Sequence, residues 1–298
     1  MNQFIKGYAY IVLAGLFWSS TGLFASLLLK TGVSSFEIAF YRLAIGSLFM
    51  GIYILIFNPE AFKITWKGLI LTAGIGIICH GGFNMAFFTA VDMTGVIIAT
   101  ILLYLAPLML LGLSVRFFNE TLTSQKIGAV VLAVLGSILA ITGGIVTGLS
   151  VPIIGLLMGA LAALAYALIS VFSKAVLSHF KVETVLFYSF IFGSLTVLPF
   201  LSLGHLSLPL MNAKGLMLVF SIGLLSACIP YLFYVHGIAT GLDLSKVGIL
   251  SMVELIFSIG WSLLFLGELL NPIKAFGIAL ICLSIYLVNK PQINVLAT

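Results

Sequence analysis

The chain has 298 residues, 62% of them hydrophobic, and only 21 carry a formal charge: 13 Lys or Arg and 8 Asp or Glu. With a mean hydropathy of +1.30, this falls far short of the ~25% charged residues of a soluble domain. It excludes an ordinary water-soluble enzyme, a disordered chain and a disulfide-stapled secreted domain. The apolar runs are near-continuous rather than alternating with period two, so a membrane barrel is disfavoured and an all-α integral membrane protein is expected.

Charges, prolines and loop residues divide the chain into ten apolar runs: 7–29, 36–57, 68–90, 93–115, 127–147, 153–177, 184–203, 215–237, 244–266 and 272–289. Each approaches the ~20 residues that cross a bilayer as a helix. Lys6 precedes a first run too long for a cleaved leader, so that run is expected to stay as a helix. The loops are too short for a soluble domain, and no GxxxxGK[ST] phosphate loop is present. No ATPase motor or ATPase subunit is implied, and any energy must come from a gradient or from exchange. The basic residues are scattered singly, which speaks against nucleic acid. Cys79, Cys228 and Cys282 lie inside apolar runs without CxxC spacing and read as small core residues, with no metal site and no cofactor expected. Neither GxSxG nor HExxH occurs, so an enzyme is not expected.

Lysine and arginine in short loops orient membrane helices. If the N-terminus is cytoplasmic, nine basic residues (Lys6, Lys63, Lys67, Arg116, Lys126, Lys174, Lys181, Lys246 and Lys290) fall at cytoplasmic ends. Three (Lys30, Lys214, Lys274) fall outside, and Arg42 lies within a span. Both termini are therefore expected in the cytoplasm, with the chain in the cytoplasmic membrane.

The sequence repeats at an offset of 147–148 residues: FYRLAIGSL (Phe40–Leu48) lies over FYSFIFGSL (Phe187–Leu195), and YLAPLMLLGLSVRFFNETLT (Tyr104–Thr123) over MVELIFSIGWSLLFLGELLN (Met252–Asn271). The second pair aligns Glu120 with Glu268, each closing a span and read as a capping or interfacial residue, and Pro107 with Leu255. Two five-span halves follow, residues 1–148 and 149–298. An odd span count per half inverts the second, an arrangement common to secondary transporters that places the substrate site near the midplane between the halves.

These stretches, with LFWSSTGLFAS in span 1, AYALISVFSKAVL in span 6 and VELIFSIGWSLLFLGELLNPIKAFGIALI through spans 9 and 10, resemble the drug/metabolite transporter superfamily in its EamA branch. The chain departs from the family pattern at Leu255, where Pro commonly follows the Glu, and at Ala106, where span 4 lacks that Glu. The resemblance implies a 5+5 inverted repeat, cytoplasmic termini and a central cavity lined mainly by spans 1, 3, 4, 6, 8 and 9. It also implies transport, often export, of small metabolites such as amino acids, by a monomer or weak homodimer.

Ionisable residues deep in spans are costly and usually face a cavity or a partner. Glu254 heads this group. Ser251, Glu254, Ser258 and Ser262 share one helix face, and the carboxylate can act as proton carrier, as counter-charge to an amino group, or as a structural group bonded to neighbouring helices. His80 shares a face with Gly76 and Asn84, and can titrate with Glu254 or simply be an interior donor. Arg42 reads as an anchor near the outer surface, and Glu37 as interfacial. His236, Asp243 and Lys246 read as a wet loop cluster or an inner gate. Trp18, Tyr104, Tyr166, Tyr231 and Tyr234 stand mid-span, where rings with polar tips suit an amphipathic organic solute or serve as core packing. Pro107 and Pro230 are candidate hinges, and Gly155–Gly159 is a candidate close-packing face. The expected function is secondary active export of a small organic solute by alternating access, coupled to protons through Glu254 and His80. The alternative is an importer, exchanger or drug exporter for a quaternary amine held by Glu254 and an aromatic box.

Overall fold

In a computed structural model, the described residues are 3–145, 152–201, 212–265 and 269–290. Among them lie ten helical spans and no strand: Gln3–Leu29, Ser35–Phe57, Trp66–Thr94, Val96–Phe118, Ser124–Thr142, Ile153–Val176, Val182–Phe200, Ala213–Ala239, Leu244–Leu264 and Pro272–Asn289. They are numbered 1 to 10 below. Each expected run corresponds to one of them, with ends shifted by a few residues.

Polar residues set several starts by accepting the backbone N–H groups that a first helical turn leaves unpaired. Thr65 caps span 3, Thr123 span 5, Asn212 span 8 and Asn271 span 10. Span 2 begins with a reciprocal capping box: Ser34 Oγ accepts from Glu37 N at 3.3 Å, and Ser34 N donates to Glu37 Oε2 at 2.5 Å. Glu37 is therefore a fully buried cap rather than an interfacial residue.

The spans pair by a simple rule. Span 3 packs on 6 as 8 packs on 1; span 3 on 7 as 8 on 2; span 4 on 6 as 9 on 1. Spans 2 and 7, 4 and 9, and 5 and 10 pair with each other. Exchanging each span for the one five places on reproduces this whole set, which is the signature of two like halves about a pseudo-twofold axis. Five spans per half make the second half run inverted.

Irregularities follow the same rule. Span 3 contains a π-helical stretch at Ile75–Gly81, and span 8 one at Leu224–Cys228. Span 4 breaks at Tyr104–Leu105 and span 9 at Met252. Span 1 also breaks, at Ser19–Ser20, whereas its counterpart, span 6, is continuous. None of the breaks in spans 1, 4 and 9 was expected from apolar content, because a run stays apolar across them.

Small residues bring the helices close where packing alone drives association. A Cβ on Gly277 would lie 2.6 Å from Gly136 O, so spans 5 and 10 touch backbone to backbone. Gly155 and Gly159 of span 6 receive Met93, Thr94 and Leu102 of spans 3 and 4. The main core gathers Ile11, Trp18, Leu43, Cys79, Phe190, Tyr231 and Tyr234 between the halves. Large apolar residues such as Leu55, Phe57, Trp66 and Ile153 point outward, as lipid-facing side chains do.

Candidate functional site

Between the halves lies a cavity of about 450 Å³, within the range of small-molecule sites. Its walls come from the second part of span 1 (Thr21–Leu29), the first turns of span 2 as far as Arg42, and Phe83–Val91 of span 3. Val96–Pro107 of span 4, Tyr166 of span 6, Ile222 of span 8 and Ser251–Ser258 of span 9 complete it. Most of these segments belong to the half of the bundle away from the described chain ends Gln3 and Lys290. The cavity runs from mid-depth toward that far end, where Leu29 and Val96 are exposed.

Trp18 forms the floor. Its ring lies 5.0 Å from Tyr231, 4.9 Å from Tyr234 and 6.2 Å from Tyr166. Trp18 closes the first helix of span 1, and the break that follows lets Thr21–Leu29 lean toward spans 2 and 8. The break is tied from across the bundle: Trp261 Nε1 donates to Ser19 Oγ at 2.8 Å, and Ser19 Oγ donates to Leu16 O at 2.6 Å. Trp18 Nε1 and Thr21 Oγ1 are buried and without a hydrogen-bond partner among the described residues. Unpaired buried donors are rare, and both of these residues line the cavity.

Two opposite charges stand on the walls, Glu254 on span 9 and Arg42 on span 2. Glu254 lies in the first turn of the second helix of span 9, and Gly15 of span 1 passes directly against its backbone. Arg42 reaches across to the other half. Pro230 has no N–H to offer the carbonyl four residues back, and that carbonyl, Ser226 O, accepts from Arg42 Nε at 3.1 Å. The guanidinium also stands 5.9 Å from the Tyr231 ring centre, within cation–π reach. Arg42 is thus a cavity residue, where the sequence suggested a surface anchor. The signal available was a lone Arg two turns inside a span, opposite a mid-span proline.

Of the residues expected at the site, the structure brings Trp18, Tyr104, Tyr166, Ser251 and Glu254 to one cavity. His80, Asn84, Tyr231 and Tyr234 sit in the wall behind it. His80 is enclosed by rings, 5.0 Å from both Phe190 and Tyr231, and Gly193 of span 7 presses on its Cβ. Asn84 Nδ2 donates to His80 O at 2.7 Å. Tyr234 Oη and Ser170 Oγ share a 2.6 Å hydrogen bond. Pro107 lines the cavity just after the span 4 break, and Pro230 follows the π-helical stretch of span 8. Phe83, Phe87, Phe88, Thr100 and Ser258 also line it.

Charged and titratable groups gather at the opposite end of the bundle. His236 Nε2 lies 3.8 Å from Glu183 Oε1, and Glu120 is buried among Lys126, Lys174 and the start of span 9. Its repeat partner Glu268 lies outside the described residues. Among the described residues, no three His, Cys, Asp or Glu side chains gather as metal ligands would, and the cysteines are free.

The profile of the EamA-like transporter family matches twice, over residues 5–142 and again over 153–290. The chain is 26% identical over 292 residues to the uncharacterized transporter YwfM of Bacillus subtilis, covering 96% of this chain and 95% of that one. It is 22% identical over 295 residues to the uncharacterized inner membrane transporter YicL of Salmonella typhimurium, covering 97% of each. A solved crystal structure superposes with a TM-score of 0.78 at 19% identity, over 95% of this chain and 96% of that one. That similarity speaks to the fold.

Proposed function

The chain belongs to the EamA-like transporter family and is a multi-pass membrane transporter, and on that premise we propose that it exports a small zwitterionic, amino-acid-like solute across the cytoplasmic membrane by alternating access. One observation carries this reading: a single cavity presents a carboxylate, Glu254, and a guanidinium, Arg42, among the rings of Trp18, Tyr104 and Tyr166. An ammonium group suits Glu254. A carboxylate suits Arg42, whose planar fork matches it. An apolar side chain suits the rings and the Trp18 floor. The free Trp18 Nε1 and Thr21 Oγ1 supply further polar contacts.

With cytoplasmic termini, supported by nine basic residues against three, the open end faces outward and the charged end faces the cytoplasm. Rocking the halves about their pseudo-twofold axis then exposes the same cavity to either side in turn. Glu254 lines the cavity, so solute and proton compete for one carboxylate, which is the simplest route to proton coupling. His80, enclosed by Phe190 and Tyr231, acts in this reading through the wall rather than on the solute.

A second reading, a quaternary amine held by Glu254 and the Tyr104 and Tyr166 rings, draws on the same wall. Melting of the purified protein separates the two, since a ligand of the native state raises apparent stability. A panel of amino acids, their decarboxylated amines and their deaminated acids would be compared with tetraalkylammonium salts. Stabilisation by zwitterions alone supports the proposal. Stabilisation by amines and tetraalkylammonium ions irrespective of a carboxylate replaces it with the second reading.

A further inference from the structure

We propose that Glu120 is the latch of a gate: with Lys126 and Lys174 it forms a charge lock between the two halves that keeps the end away from the cavity shut. This rests on the alternating-access reading above.

Asn119, in the left-handed conformation (φ 53°), turns the chain at the end of span 4 and delivers Glu120 beneath the first turn of span 9. The Glu120 side chain is 5% exposed. It accepts from Leu244 N at 2.5 Å, Ser245 N at 3.2 Å and Ser245 Oγ at 2.7 Å. The first helical turn of span 9 thus points its free N–H groups at an anion from the other half, the favourable sense of the helix dipole. Lys126 Nζ lies 3.6 Å from Glu120 Oε2 and 3.2 Å from Asp243 Oδ2. Lys174 Nζ lies 3.6 Å from Glu120 Oε1 and donates to Leu242 O at 3.4 Å. Two carboxylates and two ammonium groups balance.

Glu120 and Lys126 belong to the first half, while Lys174, Asp243, Leu244 and Ser245 belong to the second. Opening this end by moving one half against the other must part Glu120 from its second-half partners together. On span 9 the lock holds the first helix, Leu244–Ser251, and the break at Met252 separates it from the helix that carries Glu254. The strength of the lock therefore sets how often this end opens.

The test uses two cysteine reporters in a background where Cys79, Cys228 and Cys282 are alanine. Ser258→Cys lies in the cavity. Ser173→Cys is buried on span 6, one residue from Lys174 and on the closed side of the Trp18 floor. Labelling by a charged maleimide is followed on the purified protein without solute. Glu120→Gln is expected to speed labelling of Ser173→Cys by about tenfold or more, the scale of one lost hydrogen bond to a buried charge, and to slow labelling of Ser258→Cys. Lys174→Gln, which leaves Lys126 and the helix N-terminus in place, is expected to act in the same direction to a smaller extent, and it serves if Glu120→Gln does not fold. Unchanged rates at both reporters, or a rise at both together as general loosening gives, overturn the latch. If Glu120→Gln shifts the rates in opposite senses while no solute moves them in the parent, the latch stands and the transport reading fails. If solutes move them and the variants do not, the latch alone fails.

Discussion

Gly15→Ala is the most direct probe of how the cavity wall is built. Gly15 of span 1 faces span 9, and a Cβ there would stand 2.6 Å from Val253 Cγ1, 3.1 Å from Glu254 N and 3.6 Å from Glu254 Cα. Val253 is β-branched and rotates poorly within a helix, and the Glu254 backbone cannot yield without moving the helix that begins there. Overpacking of this kind costs about 1–3 kcal/mol. Against it stands a gain of about 1 kcal/mol from replacing a helical glycine with alanine. The net is a loss of roughly 0–2 kcal/mol, or up to several degrees of melting temperature at about 2–4 °C per kcal/mol. Gly22→Ala supplies the melting control on the same span, since a Cβ there meets nothing within 4 Å and only the helix gain remains; affinity is compared with the parent, because Gly22 lines the cavity. The assay is the melting temperature of both purified variants together with solute affinity. Gly15→Ala is expected to melt below Gly22→Ala and to bind more weakly, because Glu254 is pushed from its place. Equal melting with unchanged affinity would refute the close approach of spans 1 and 9 at the carboxylate.

Two further outcomes follow from the cavity floor. Trp18→Phe keeps a ring against Tyr231 and Tyr234 but removes the unpaired Nε1, so solute affinity should fall roughly 2- to 10-fold, as loss of one hydrogen bond gives, while melting changes little; Trp18→Ala, a large-to-small change in a core cluster, should cost about 3–5 kcal/mol. Tyr234→Phe and Ser170→Ala each break the same 2.6 Å bond, so the double variant should melt no lower than about the worse single one; additive losses would show that the two hydroxyls do not act together.

The ten spans and the inverted repeat were legible because both are carried by local pattern: apolar length, charged punctuation and two stretches in register. The stripe Ser251–Glu254–Ser258 was also legible, since helical spacing places all three on one face, and that face lines the cavity. Spacing does not say what covers a face. His80 and Asn84 share one too, yet Phe190, Tyr231 and Gly193 close over His80 from other spans. The break in span 1 falls at two serines, with no proline to announce it; a tryptophan 242 residues away holds Ser19. Arg42 looked like a snorkelling anchor because its partner, Ser226 O, is freed by a proline in the other half. Glu120 read as a capping or interfacial residue because its partners, Lys126, Lys174, Leu244 and Ser245, lie on three other spans.

The central claim is that Glu254 and Arg42 bind the two ends of one zwitterionic solute that the protein carries across the membrane. The most direct measurement is uptake of a radiolabelled amino acid, chosen from the melting panel, into proteoliposomes holding the parent, Glu254→Gln or Arg42→Gln, all at matched protein content and folded by melting. Saturable uptake by the parent is expected, with loss of at least about tenfold in each variant, the scale of one charge-assisted contact. Uptake by Glu254→Gln and Arg42→Gln at the parent rate and affinity would contradict it.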